Sequence, residues 1–363
     1  MADWVAMTDQ VQPVAGRGGR PRPRPLPTVP TEYQQLLRGP LHRWWSPLLA
    51  LLVLVPLTLV LIFGALIPIV VIGAVQGIAN PVRWTLMTTT QVSDLSPAGF
   101  LYVNLSLIAL IPAAGLSIWI GHQVRPRYLS SVQGGIRWRW LLRCVLLVLP
   151  IWAAYVGIST LVEIPQGVRP QHWVLLLVMV VLLTPFQAAG EEYLFRGWIL
   201  QNVGSWFARP LLGFLVSLVI STAAFAAAHS SPDPWIIASL ACLAVSSAVA
   251  TWRTGGLEAG IVLHAVNNVT ALSMVIIFGG WQQAFITPTS RATPAVFVFA
   301  LIVHGIALAL ILWQSKKIGL QRLFTPEALP EPLPHASAVS LGVPPGPLAP
   351  APPDPWAPGA AGR

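Results

Sequence analysis

Residues 172–190 read HWVLLLVMVVLLTPFQAAG, and EEYLFRG follows at 191–197. The first stretch is apolar over a length that can cross about 30 Å of hydrocarbon as a helix. The second stretch places two carboxylates and a guanidinium directly after it. Ionisable groups within a membrane are costly and usually functional. The sequence here therefore predicts a membrane-spanning helix that carries a chemical site.

The same apolar pattern recurs along the chain and sets the fold class. The 363 residues are 55% hydrophobic and 9% charged, with a mean hydropathy of +0.69. A soluble protein of this length would hold far more charge. Tryptophans near many segment ends match the headgroup region of a bilayer. We expect an all-α polytopic membrane protein with about eight transmembrane helices, near 46–76, 98–121, 141–162, 172–190, 210–229, 234–251, 257–280 and 293–314.

The two ends of the chain differ in composition from this helical domain. Residues 17–25 alternate Arg with Gly and Pro, and residues 325–363 are rich in Pro, Ala and Gly. Such segments bury too little apolar surface to fold. We expect disordered tails at 1–43 and 321–363 and a transmembrane domain at 44–320, with a retained first helix and no cleavable signal peptide. Cys144, Cys242 and His304 have no partner motif, and we interpret them as packing residues.

The distribution of basic residues predicts the orientation. With the N-terminus on the cytoplasmic side, all of the 21 Lys and Arg residues except Arg83, Arg169 and Arg291 fall on that side. The positive-inside rule then places both termini in the cytoplasm of a multi-pass plasma-membrane protein. The basic charge is spread over loops and tails without a nucleic-acid-binding motif, so we expect no nucleic-acid partner.

The acidic motif contains two glutamates with different surroundings. Adjacent residues on a helix point about 100° apart, whereas Glu192 and Arg196 are four apart and share a face. A carboxylate paired with Arg stays ionised, and an unpaired one in a low-dielectric cavity accepts a proton more readily. We expect Glu191 to be a general base and Glu192 with Arg196 to be a structural ion pair. The alternative is that these residues only mark a helix end.

Two further pairs of polar or aromatic residues have the spacing of one helical turn. Phe225 and His229 are separated by alanines, which let another helix approach closely. His264 and Asn268 share a face, from which Asn267 is expected to turn away. Imidazole and amide N–H groups on one face suit an oxyanion hole. Hydrogen bonding between helices is the alternative role for each.

In this order, Glu191-Glu192-Tyr-Leu-Phe-Arg196, Phe225-Ala-Ala-Ala-His229 and His264-Ala-Val-Asn-Asn268 resemble the motifs of the CPBP family of intramembrane proteases. That family includes CAAX prenyl endopeptidases and bacterial proteins tied to bacteriocin immunity. The resemblance covers roughly residues 170–280. It implies hydrolysis of a membrane-associated or lipidated protein within the bilayer. It also implies that Glu191 and His229 activate water while His264 and Asn268 stabilise the oxyanion.

Zinc and a non-catalytic role remain alternatives to this mechanism. The family has also been described as metalloproteases, in which case Glu191, His229 and His264 would bind the metal. The chain lacks His-Glu-x-x-His, so we expect a metal-free glutamate mechanism without a cofactor. The alternative function is a membrane scaffold or immunity factor of the same fold, which the presence of all four expected catalytic side chains disfavours. A transporter would show repeats between the two halves, and the sequence has none that we detect.

The expected helix ends conflict with a shared site. If the fourth helix ends at 190, Glu191 lies at the cytoplasmic end of that helix and His229 at the far end of the next. We therefore expect the fourth helix to continue towards Trp206, with a kink at Pro185, which would place Glu191 within the membrane.

Overall fold

The computed structural model describes residues 25–90, 96–162, 167–280 and 285–326. In these ranges the regular secondary structure is helical, and β-type pairing is limited to two isolated bridges. The α-helices are α1 Ser46–Gly64, α2 Leu66–Val75, α3 Pro81–Thr90, α4 Pro97–Ile108, α5 Leu110–His122, α6 Trp138–Val162, α7 Trp173–Glu192, α8 Leu200–Ser205, α9 Pro210–Ala228, α10 Pro234–Thr254, α11 Glu258–Phe278 and α12 Pro294–Lys317.

Eight helical segments of the described chain are long and apolar enough to cross a membrane. The pairs α1–α2 and α4–α5 each form one span, and α7 continues into α8. Their lipid-facing surface is apolar, with Leu52 exposed by 71% and Val75 by 82%. The predicted all-α polytopic class is confirmed. The short helix α3 was not predicted, because its threonines and arginine hide it from a hydropathy pattern.

The fourth span runs without a break from Trp173 to Ser205. The end expected at residue 190 is therefore wrong, and the continued helix expected from the shared site is confirmed. The charged residues after 190 are buried by neighbouring helices rather than by headgroups. Residues Tyr193–Ile199 form a π-helical segment between α7 and α8. Such wider turns are rare and frequently occur at functional sites.

Helix α11 lies at the centre of the bundle and packs on α7, α6 and α10. Helix α7 also packs on α4. The two helices approach closely at Gly190, where an added Cβ would lie 2.0 Å from the carbonyl oxygen of Leu107. Only a glycine permits this approach of the two backbones. Helix α7 is thereby held between α4 and α11.

Loops from several spans meet at one end of the bundle, which we call the N-terminal face (residues 25–45, 123–137, 206–209, 255–257 and 318–326). Tyr33 is fully buried there, and its hydroxyl donates to the carbonyl of Leu129. Thr31 forms an antiparallel bridge with Phe324. Disorder was expected throughout 1–43 and 321–363, and this is wrong for 25–43 and 321–326, because these residues supply apolar side chains to the bundle. The predictions for 1–24 and 327–363 lie outside the described residues.

Candidate active site

Glu192 joins the first motif to the third. Nη1 of Arg196 lies 2.9 Å from Oε1 of Glu192, and Nδ1 of His264 lies 2.9 Å from the same oxygen. All three side chains are buried. Since the carboxylate accepts, Nδ1 of His264 carries a proton, and this fixes the orientation of the ring. Glu192 therefore binds a histidine as well as the arginine with which it was expected to pair.

Glu191 lies at the opposite edge of the same imidazole. Its Oε2 is 3.9 Å from Nε2 of His264, and its Oε1 accepts a hydrogen bond from Nε2 of Gln187. Both glutamates of the motif therefore lie beside the same imidazole. The two side chains diverge from α7, but the His264 ring inserts between them and meets both.

A chain of hydrogen bonds leads to the Glu191 carboxylate from another helix. Trp152 Nε1 donates to Oδ1 of Asn267 at 3.4 Å, and Nδ2 of Asn267 donates to Oδ1 of Asn268 at 3.2 Å. Asn268 Nδ2 donates to Oε1 of Gln187 at 3.3 Å, and Gln187 donates to Glu191. Every bond runs in the same direction, so each amide orients the next. Asn267 contacts Asn268 instead of turning away from it.

The Phe225 ring connects the second motif to the other two. It is fully buried and lies 4.3 Å from the guanidinium carbon of Arg196, measured to the ring centroid. Its centroid is 5.6 Å from that of His264 and 4.8 Å from that of His229. A cation over an aromatic face is stabilised most where water is excluded. Phe225 thus supports the buried Arg196, whose ion pair with Glu192 lacks good hydrogen-bond geometry.

His229 is half-buried at the end of α9. Its Nδ1 is 2.8 Å from the carbonyl oxygen of Phe225, one turn earlier. Across the described ranges, no hydrogen bond or ion pair joins it to Glu191. The structure therefore brings together five of the expected side chains, and His229 contacts Phe225. The five are Glu191, Glu192, Arg196, His264 and Asn268.

No group of three His, Cys, Asp or Glu residues within the described residues is arranged to hold a metal ion. Glu191, His229 and His264, the alternative zinc ligands, do not form such a group. The described geometry thus gives the metalloprotease alternative no support. His304 packs edge-on against Trp152, with ring centroids 5.1 Å apart.

Sequence reasoning missed Gln187 and Trp152 as parts of the site. Gln187 lies four residues before Glu191, so the spacing that paired Glu192 with Arg196 could have found it. Trp152 lies on α6, more than a hundred residues from its partner. No spacing within one helix identifies such a contact.

Comparisons with known proteins support the resemblance drawn from the motifs. Residues 170–270 match the family model of type II CAAX prenyl endopeptidase Rce1-like proteins. The uncharacterized protein YyaK of Bacillus subtilis (strain 168) is 25% identical over 158 residues, which cover 42% of this chain and 52% of YyaK. No solved structure gives a significant match. The resemblance to intramembrane CPBP proteases is therefore confirmed over residues 170–270, where the chain is similar to the Rce1-like endopeptidases.

Proposed function

We propose that this protein is an intramembrane endopeptidase that cleaves a membrane-associated or lipidated protein, with Glu191 as the general base. The observation that carries the proposal is the position of the Glu191 carboxylate between the amide chain and His264. Similarity of residues 170–270 to a protease family supports the same reaction. The positive-inside pattern supports a cytoplasmic N-terminal face.

Glu191 has one oxygen engaged and one directed towards His264. The 3.9 Å between Oε2 and Nε2 of His264 is too long for a direct hydrogen bond, and a bridging water suits such a gap. A water held there is placed to give a proton to Glu191 as it attacks a peptide carbonyl. The same proton then passes to the leaving amine, so that hydrolysis consumes one water and leaves the carboxylate unchanged.

Asn268 and His264 supply the donors for the oxyanion. One N–H of the Asn268 amide is directed to Gln187, and the other has no partner within the described residues. Nε2 of His264 donates when the ring carries both protons, since Nδ1 already donates to Glu192. The carboxylates of Glu191 and Glu192 flank this cationic form of the ring. Donors fixed before the reaction act on the charge that develops in the transition state.

His229 keeps the role that the resemblance implies, as a partner of Glu191 in water activation. Its Nδ1–H donates to the carbonyl of Phe225, which leaves Nε2 as an acceptor. Because His229 makes no direct contact with Glu191 in the described structure, we propose that the two act through bound water.

A cavity supports access of a polypeptide to this site. It has a volume of about 310 Å³ and lies between α6, α10, α11 and α12. Trp152 and Asn267, which begin the amide chain, lie in its wall together with His304. The remaining wall is mostly aromatic and aliphatic. Apolar side chains of a membrane-associated substrate fit such a lining.

The test compares wild type with Glu191→Gln, both purified in nanodiscs, on a farnesylated peptide ending in Cys-a-a-X and on the same peptide without the lipid. We expect cleavage by wild type and none by the variant, because the amide is nearly isosteric but cannot take a proton from water. Near-normal cleavage by the variant would refute the base assignment. If wild type cleaves neither peptide, and membranes with wild type or variant accumulate the same peptides, the scaffold alternative is correct.

A further inference from the structure

Another cavity lies at the N-terminal face, away from the candidate active site. It has a volume of about 570 Å³ and is formed by residues 133–135, the first two turns of α6 and residues 318–320. Three arginines line it: Arg137, Arg139 and Arg143. Its wall contains no Asp or Glu.

Two of these arginines are uncompensated. Arg137 forms an ion pair with the buried Glu258 at 2.6 Å, so its charge is neutralised. Arg139 and Arg143 are exposed and form no ion pair within the described part of the chain. They are four residues apart on α6 and therefore share one helix face. Two positive charges thus face the cavity without a counter-ion.

Trp140 lies in the cavity wall, between the two arginines in sequence. It is exposed by only 2% and belongs to the hydrophobic core of the bundle. The cavity therefore has an apolar wall of the bundle core beside the two arginines.

The other residues around the cavity are of the kinds found near lipid headgroups. Trp138 is exposed by 71% at the start of the third span, where tryptophans contact headgroups. Ile318 and Leu320 complete an apolar wall beside the arginines. The N-terminal end of α6 adds a positive partial charge.

We propose that this cavity binds the phosphate group of an anionic phospholipid. Arg139 and Arg143 bind the phosphate oxygens, and Ile318 and Leu320 contact the lipid chain. Charge-assisted bonds from arginine to phosphate are strong, and basic pockets between transmembrane helices are suited to anionic headgroups. Inorganic phosphate offers the same oxygens without the chains.

The test uses the full-length protein in neutral detergent with added phosphatidylglycerol, phosphatidylcholine or inorganic phosphate. Native mass spectrometry counts retained lipid, and the melting midpoint reports stabilisation. We expect wild type to retain one phosphatidylglycerol and to melt at a higher temperature with it than with phosphatidylcholine. Equal stabilisation by inorganic phosphate would show that the site takes the free ion, and equal retention of both lipids would refute the proposal.

Variants distinguish lipid binding in the cavity from general attraction of anionic lipid to the positive charge of this face. Arg139→Gln/Arg143→Gln should weaken phosphatidylglycerol binding about tenfold or more, since each arginine near an anionic headgroup contributes substantially. The control Arg125→Gln/Arg127→Gln removes two exposed charges from the segment before α6, on the same face, but none from the cavity wall. An equal loss in the control, or no loss in the cavity variant, would overturn the proposal.

Discussion

Gln187 leaves Glu191 with one free oxygen. By donating to Oε1 it fixes the plane of the carboxylate, and by accepting from Asn268 it fixes the amide proposed to stabilise the oxyanion. One side chain thus positions both the general base and a hydrogen-bond donor to the transition state. Reactions of this kind depend strongly on such orientation.

Replacing Gln187 tests this positioning. We expect Gln187→Leu to lower kcat by about 10- to 100-fold with little change in KM, because the lost contacts position the reacting groups and do not hold the substrate. The matched control is Gln201→Leu, a buried glutamine on the same span that donates to the carbonyl of Tyr128. The idea fails if both variants lose kcat equally per folded protein.

Replacing each of the neighbouring asparagines should lower turnover to a different extent. We expect Asn268→Ala to lower turnover by roughly 10²- to 10³-fold, since it removes an oxyanion donor. Asn267→Ala should cost about tenfold, because Asn267 orients the Asn268 amide without reaching the substrate. Turnover rates of both variants on the same peptide decide the matter, and a larger loss for Asn267→Ala would reverse the two assignments.

Metal removal tests the chemistry of Glu191 directly. We expect protein treated with chelator to keep its activity, because the proposed step needs only a carboxylate to accept the proton. Elemental analysis should then find no stoichiometric zinc. Activity that disappears on chelation and returns on adding zinc would instead establish a zinc enzyme, and loss of bound zinc in His229→Ala and His264→Ala would identify these histidines as ligands.

At the scale of elements, α9 reaches the site through a single aromatic ring. We expect Phe225→Leu to destabilise the protein by about 2 kcal/mol, from loss of the contact with the buried Arg196. It should also lower activity per folded protein, since Arg196 pairs with Glu192. Phe214→Leu is the control on the same helix, because Phe214 stacks on Trp252 with ring centroids 4.2 Å apart. Thermal melting and turnover measured together should separate the two variants, and unchanged turnover in Phe225→Leu would contradict this role.

Hydropathy and residue spacing predicted most elements but not how they meet. Eight apolar segments follow from hydropathy and length, and the i,i+4 rule placed Glu192 beside Arg196. The rule describes one helix at a time, so it could not show that His264 inserts between two glutamates of α7. The π-helical segment was equally hidden, because no residue type marks it. Hydropathy placed a helix end at 190 because charged residues follow it, but these residues are buried by protein and the helix continues.

At the scale of the whole molecule, Glu32 ties the chain's early and late segments together. It pairs with Arg322 and accepts hydrogen bonds from Trp252 and Gln34, at 3.0 and 2.9 Å. Burial alone raises the pKa of Glu32, but these hydrogen bonds and Arg322 outweigh it, and the pKa lies below its ordinary value of 4.5. A lowered carboxyl pKa stabilises the fold above the unfolded-state value.

This contribution should therefore depend on pH. We expect Glu32→Gln to melt below wild type at neutral pH, and the difference to shrink as the pH falls below about 4.5 and through the lower folded-state pKa. Melting midpoints of both proteins between pH 7 and pH 3 give the measurement. A difference that stays constant over this range would show that the carboxylate charge contributes nothing.

The bridge between Thr31 and Phe324 brings the first and last described segments side by side. A short linker from residue 326 to residue 25 would therefore close the backbone into a ring. Opening that ring between Ala208 and Arg209, in an exposed loop of the same face, would create new ends while every span keeps its present direction across the bilayer. Circular permutation at that loop should thus be tolerated. In the permuted protein, residues 25 and 326 would lie within the chain and the termini would lie at 208 and 209.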